Sequence, residues 1–422
     1  MKPKRVVVAV AVALVLTLSL AAREAKFKIL HNFGAANDGS GPFGPPVLDD
    51  EGNLYGATAA GGTGQCGDYG CGAVFELSPQ PNGTWSEKLL HNFTAGSDGA
   101  IPWGGLIFDT SGDLYGTLQG DNGLGGSGVF ELIPGRSGWS NIVIYTDGAG
   151  PGLLMDNARN LYGDMGPGRY EYYGAVAELS PGPLSWTYAA LYSYCSKYGC
   201  PDGYDPPAPP IWDGKGNLYG TMTEGGIGKP ACFSSFGCGV IFKMTPNGDG
   251  TWTYHVLHRF ASSSTDGQWP YGSLVMDAAG NFYGSTWLGG ANGRGNGGYG
   301  HGTVFKLAFS GGKWKETILY DFPNCNHGCM VEGTLALDKA GNLYGTAAGG
   351  TGNCGGYACG VVFKLAPQKN GKWKYSVLHD FSLSDGGVQP FYGVILDSKG
   401  NLFGVTSNFG KYNGGTAFEI MP

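Results

Sequence analysis

The chain has 422 residues, of which 79 are Gly, 13% are aromatic and 14% are charged, with a formal net charge of −7. An acidic balance gives no electrostatic case for binding nucleic acid or an anionic membrane surface. Abundant Gly with few charges points to many short strands joined by tight turns, and apolar alternation between the Gly clusters excludes low-complexity disorder.

In chain order, residues 1–22 read as an export signal. Lys2, Lys4 and Arg5 precede an apolar run, Val6 to Leu20, that ends in small residues at Ala21 and Ala22. The run is shorter than the roughly 20 residues a membrane span needs, although a retained anchor is the competing reading. Removing it moves the net charge from −7 to −10. No Cys follows the run to carry a lipid, so a secreted or cell-surface location is expected, with no membrane span in the mature chain.

Beyond the signal, one pattern returns seven times. Asp-x-x-Gly-Asn-Leu-Tyr-Gly begins at Asp49, Asp109, Asp156, Asp213, Asp277, Asp338 and Asp397, with small variations. Self-similarity at this spacing marks an array of identical supersecondary units. Each unit reads as four strands. In the first, Val47 to Asp49 and Asn53 to Thr58 form a hairpin around an Asp-Glu-Gly turn, Ala73 to Leu77 is the third strand, and Trp85 to Phe93 the fourth. Residues 27–33 match a fourth strand and residues 416–420 a third, so the termini are expected to pair and close the ring. The expected fold is all-β: a seven-bladed β-propeller forming one domain over residues 23–422.

Ten cysteines form five close pairs: Cys66/Cys71, Cys195/Cys200, Cys232/Cys238, Cys325/Cys329 and Cys354/Cys359. Export favours disulfides over zinc, and each local bridge is worth about 2 kcal/mol in the chain-entropy model. Sequence leaves open an exchange of partners between adjacent loops.

The repeat Gly-Asn-Leu-Tyr-Gly-Thr with a following Gly-Gly, then Gly-x-Val-Phe-x-Leu, resembles the tandem repeat of the GloVer-containing, choice-of-anchor bacterial proteins. The best copies are Gly216 to Gly226 with Gly239 to Met244, and Gly341 to Gly350 with Gly360 to Leu365. The resemblance implies an exported bacterial protein and brings no activity or catalytic residues with it. Family members often bear a C-terminal sorting anchor; this chain stops at Pro422, so release is expected.

Strand order puts the short turns on one face and the long, variable loops with all five Cys pairs on the other, where binding sites normally sit. The bridges are expected either to stiffen a recognition face around the channel mouth or only to protect an exported chain. The loops that cross between units share Asp-Gly…Pro-aromatic-Gly, as in Asp38 with Phe43, Asp98 with Trp103, Asp266 with Tyr271 and Asp385 with Phe391. These aromatics either wedge neighbouring blades apart or ring the channel entrance, where they would suit a sugar. Trp269, Trp287, Tyr204 and Trp212 occur in single copies and are the stronger ligand candidates. His31, His91, His258 and His379 share one position with Tyr145, Tyr192 and Tyr320, which argues for packing or hydrogen bonding. His301 and His327 lie on long loops without a partner motif.

Acidic residues that break the repeat are the catalytic candidates. Asp164 and Glu171, with Arg169, lie in the most divergent unit, while Glu224, Asp121 and Glu332 share the long-loop side. Two carboxylates at a set separation would serve glycoside hydrolysis. The expected function is binding of an extracellular ligand, carbohydrate before protein, on the long-loop face. A polysaccharide-active hydrolase or lyase is the first alternative and a protein-binding scaffold the second. A monomer is expected. No cofactor and no metal ligand are assigned; calcium, held by channel carbonyls, is the one ion left open.

Overall fold

The computed structural model describes residues 25–120, 127–166, 174–226, 232, 237–292, 299–352, 354 and 359–422. Residues 1–22, expected to be an export signal, and Asp121, Arg169 and Glu171 therefore lie outside the described residues.

Seven antiparallel sheets follow one another along the chain and form a seven-bladed β-propeller without α-helices among the described residues. Blade 2 is representative, with strands Pro102–Phe108, Leu114–Leu118, Gly128–Gly135 and Gly138–Tyr145 pairing in chain order from the axis outward. Blade 7 differs, because its outer strand is the first of the chain. Lys26–Asn32 pairs antiparallel with Thr416–Met421, setting Phe27 opposite Ile420 and Asn32 opposite Thr416.

The repeated motif is a hydrogen-bond device. Asp49 accepts the Asn53 backbone N–H at 2.8 Å, the Asn53 side-chain N–H at 2.8 Å and the Tyr55 hydroxyl at 3.0 Å. The same three bonds recur at Asp156, Asp213, Asp277 and Asp338. One carboxylate thus satisfies the turn and ties it to the second strand. The Gly after Tyr has a different cause. A Cβ at Gly56 would stand 2.4 Å from the ring of Phe75 on the third strand, and Gly116, Gly220, Gly284, Gly345 and Gly404 face Phe130, Phe242, Phe305, Phe363 and Phe418 as closely. Those phenylalanines are the buried centre of each blade. Blade 3 has Ala177 in place of Phe, and no ring lies over Gly163.

Two adjacent blades break the motif together. Blade 2 has Asp113 where the others have Asn, crowding Asp109 and Glu131, and blade 3 has Arg159 where the turn elsewhere has Gly. Arg159 spans the seam, with Nε 2.9 Å from Asp109 and Nη2 3.1 Å from Glu131 and 3.7 Å from Asp113. Its φ of 67° is the backbone cost of replacing Gly.

The outer strands meet across each seam through one pair of side chains. Tyr meets Tyr at Tyr145–Tyr188, Tyr192–Tyr254 and Tyr320–Tyr375, each stacked within 9° of parallel. His379 stacks on Phe27 at 3.8 Å. His31 and His258 instead face Glu87 and Glu316 at 3.5 and 3.6 Å. The His/Tyr interchange in the sequence is thus a change of partner across the seam.

Candidate functional site

A cavity of about 600 Å³ runs along the axis, lined by the inner strands of all seven blades. Its walls approach so closely that they need Gly. A Cβ at Gly44 would stand 2.2 Å from the Gly104 carbonyl carbon, one at Gly104 2.6 Å from Gly152 N, and one at Gly333 2.1 Å from Gly393 N. This ring of contacts between neighbouring blades accounts for the Gly of the Pro-aromatic-Gly motif. Blade 4 supplies Pro209 instead, whose carbonyl accepts from the Ser273 hydroxyl at 2.9 Å.

Just outside the glycines stand the aromatics. Phe43 stacks on Trp103 with centroids 4.0 Å apart and meets Tyr392 at 4.5 Å, so blades 7, 1 and 2 present one continuous arc. Phe391 lies edge-on to Tyr392 at 6.5 Å. All four line the cavity, as does Tyr271, which is 39% exposed. Trp269 and Trp287 stack on each other at 5.5 Å, outside the lining, and the Trp287 indole N–H donates to Glu332 at 2.9 Å. Glu332 lines the cavity with Asp205, the other charged residue there among those described. Burial pushes the Glu332 carboxyl up to about 7, against a smaller opposing effect of the Trp287 hydrogen bond. Burial first, then the Glu332 charge, hold the Tyr392 phenol well above its usual range.

The rim is built from strained backbone. Ile101, Trp269, Met330 and Gln389, each leading into an inner strand, have φ of 56°, 57°, 50° and 64°. Such values are rare for residues with a Cβ, above all a β-branched Ile, and such strain clusters at functional sites. The preceding blade holds all four in place, Met330 through the His301 carbonyl at 2.8 Å and the other three through cysteine carbonyls. The amides of Ile101, Trp269 and Gln389 donate to the carbonyls of Cys71, Cys238 and Cys359 at 2.9, 3.0 and 2.8 Å.

All five sequence-adjacent cysteine pairs are disulfide-bonded, and no cysteine is free. The Cys66–Cys71, Cys232–Cys238 and Cys354–Cys359 bridges fix the carbonyls that position the next blade's inner strand. The other two bridges, Cys195–Cys200 and Cys325–Cys329, lie in the crossing loops. Cys200 and Cys329 are buried, as Cys71 and Cys359 are, and no cysteine lines the axial cavity. Their backbones tie the crossing loops down onto the blade. The Cys200 carbonyl accepts the amides of Gly203 and Gly226 at 3.1 and 2.9 Å, and the Cys329 amide donates to the Ala348 carbonyl at 2.8 Å. These two bridges are internal braces of blades 4 and 6.

The remaining candidates are dispersed. Asp164 sits on the second strand of blade 3 in its own small cleft with Ala149 and Met165, against Tyr194, whose phenol burial and then the Asp164 charge hold far above its usual range. Glu224 pairs its backbone with Tyr204 and accepts the Tyr204 hydroxyl. Neither lines the axial cavity, and the structure does not bring them together there. Trp212 is half-buried and packs edge-on against Tyr162 at 4.9 Å in the seam between blades 3 and 4. Its single-copy occurrence reflects a seam filled differently, which sequence cannot tell from a ligand contact. His301 and His327 contribute backbone carbonyls, to the Met330 amide and the Tyr375 hydroxyl. Tyr392 escapes the shared motif because one extra residue shifts it in blade 7 to Pro390-Phe391-Tyr392-Gly393.

Fold and site together define a β-propeller with an axial, aromatic-lined cavity. The chain belongs to the Gloeobacter/Verrucomicrobia repeat family, whose model matches residues 15–233, 130–296 and 233–422. A search of curated proteins finds no match. Among solved structures it is similar to a fungal alcohol oxidase of the AA5 family in complex with copper. The identity is 14% and the TM-score 0.54, covering 94% of this chain and 76% of that one. It is also similar to an ulvan lyase of polysaccharide lyase family PL25, at 10% identity and TM-score 0.50, covering 93% and 94%. These likenesses establish the fold. No helix among the described residues is long and apolar enough to cross a membrane.

Proposed function

We propose that this protein is an exported, one-domain propeller that binds carbohydrate in its axial cavity, its ring held closed by the pairing of the first strand with the last. The carrying observation is the arc of Tyr392, Phe43 and Trp103 lining the same cavity as Glu332 and Tyr271. Flat rings suit the apolar C–H faces of a sugar, while the carboxyl and phenols suit its hydroxyls. Three of the disulfides hold this rim in place through the carbonyls of Cys71, Cys238 and Cys359.

Glycan-array screening followed by calorimetry tests the reading. Trp103→Ala and Tyr271→Ala are expected to weaken binding at least tenfold, and full binding by both variants would sink it. Binding to a protein ligand with no glycan dependence would favour a scaffold. Deleting residues 26–32 is expected to abolish cooperative unfolding; a deletion that unfolds like the parent would show that the pairing does not hold the ring.

The polysaccharide-active reading rests on Glu332, whose carboxyl, pushed up to about 7, is poised to donate a proton near neutral pH. Reducing-end release from a polysaccharide panel, abolished by Glu332→Gln, would favour it.

A further inference from the structure

Two of the seven seams carry the same cluster of three side chains. In one, His31 Nε2 lies 3.1 Å from Asp38 Oδ2 and 3.5 Å from Glu87 Oε1. In the other, His258 Nε2 lies 3.4 Å from Asp266 Oδ2 and 3.6 Å from Glu316 Oε2. Each cluster draws its donors from one outer strand, the crossing loop that follows it, and the outer strand of the next blade. Within each, the three donor atoms lie inside a span of 4.8 Å.

The separations suit a small cation. Four ligands placed tetrahedrally at zinc distances of 2.0–2.1 Å are spaced about 3.3 Å apart, in the range found between His and both carboxylates. Asp38 and Asp266 are buried, at 7% and 3% exposure, and their carboxyls lie within hydrogen-bonding reach of Glu87 and Glu316, so each cluster brings an imidazole and two carboxyls to one point. Two ionised carboxylates beside a neutral imidazole carry a charge of about −2, which one divalent cation offsets. A carboxyl must lose its proton to ligate a metal, so cation binding is expected to strengthen as pH rises. His31 and Glu87 keep side-chain exposures of 21% and 18%, leaving access for the ion and for a water as fourth ligand.

We propose that the His31–Asp38–Glu87 and His258–Asp266–Glu316 clusters are binding sites for a divalent transition-metal cation of the zinc type, which clasps neighbouring blades together. Calcium does not fit, since it takes six to eight oxygen ligands, whereas each cluster offers three donors, one of them nitrogen. A third seam supplies an internal comparison. His91 and Asp98 stand 3.3 Å apart as in the other two, but Asn141 occupies the place of the glutamate, and its amide donates to the Asp98 carbonyl at 3.1 Å.

Calorimetric titration of Zn²⁺ into the protein at neutral pH tests the assignment, with Ca²⁺ titrated in parallel. Two zinc ions per chain are expected, falling to one in Glu87→Gln and to none in the Glu87→Gln, Glu316→Gln double variant. Asn141→Glu is expected to add a third ion, which keeps the test informative should the Gln variants fold poorly. Absence of zinc binding by the parent chain, an unchanged stoichiometry in a folded double variant, or saturation of the same sites by Ca²⁺ would each overturn the proposal.

Discussion

Glu332→Gln should make the protein more stable, by an amount that depends on pH in a defined way. The carboxyl is raised from 4.5 to about 7, first by burial. The folded chain therefore binds this proton more tightly than the unfolded chain. Between those two values the folded state holds more protons, so stability falls as pH rises through the window and levels off above it. A shift of that size amounts to about 3 kcal/mol, at roughly 1.4 kcal/mol per pKa unit. Gln cannot ionise and keeps an oxygen to accept the Trp287 N–H, so it removes the penalty and spares the hydrogen bond. Parent and variant should match near pH 4, and by about pH 8 the variant should melt roughly 4 °C higher, using the entropy of unfolding of a chain this size. Thermal unfolding followed at five or six pH values is the assay. A difference that does not change with pH, or a parent that is the more stable at high pH, would refute the reasoning.

Three further outcomes follow from the packing. Gly333→Ala places a Cβ 2.1 Å from Gly393 N and should cost at least about 3 kcal/mol, whereas Gly52→Ala, with φ of 84° and nothing within 4 Å, should cost about 1 kcal/mol; chemical denaturation separates them. Arg159→Gly relieves a positive φ but strips the buried Asp109 of its cation, for a net loss of about 2 kcal/mol, and Asp113→Asn added to it should restore at least half; additive effects in that double-mutant cycle would show the two sites to be independent. Replacing Cys66 and Cys71 with Ser should cost about 2 kcal/mol and speed hydrogen exchange at the Ile101 amide, which donates to Cys71; unchanged protection there would separate the bridge from the rim.

Much of the fold was legible because each repeat carries its own local chemistry. Asp, Asn and Tyr of the motif bond one another within six residues, so their pattern is readable along the chain. The five disulfides were legible for the same reason, spanning four to six positions each. Their burial was not: a loop reads as surface in the sequence, yet Cys71, Cys359, Cys200 and Cys329 are all inside, the last two tied by backbone bonds to residues 26 and 19 positions away. The site was only half legible. Phe43, Trp103, Tyr271 and Phe391 stood out through a shared motif, but their neighbour Tyr392 was hidden by an insertion. Glu332 looked no different from Asp164 or Glu224, because what singles it out is burial against Trp287, 45 positions away.

The amino-acid sequence by itself determined the blade, its turns, its cysteine bridges and the number of copies, since these rest on bonds between residues near one another in the chain. Tertiary structure alone decided what meets across a seam or around the axis. Arg159 with Asp113, His31 with Glu87 and Glu332 with Trp287 are joined by the rotation from one blade to the next, and that rotation is set by packing between repeats, which no single repeat records.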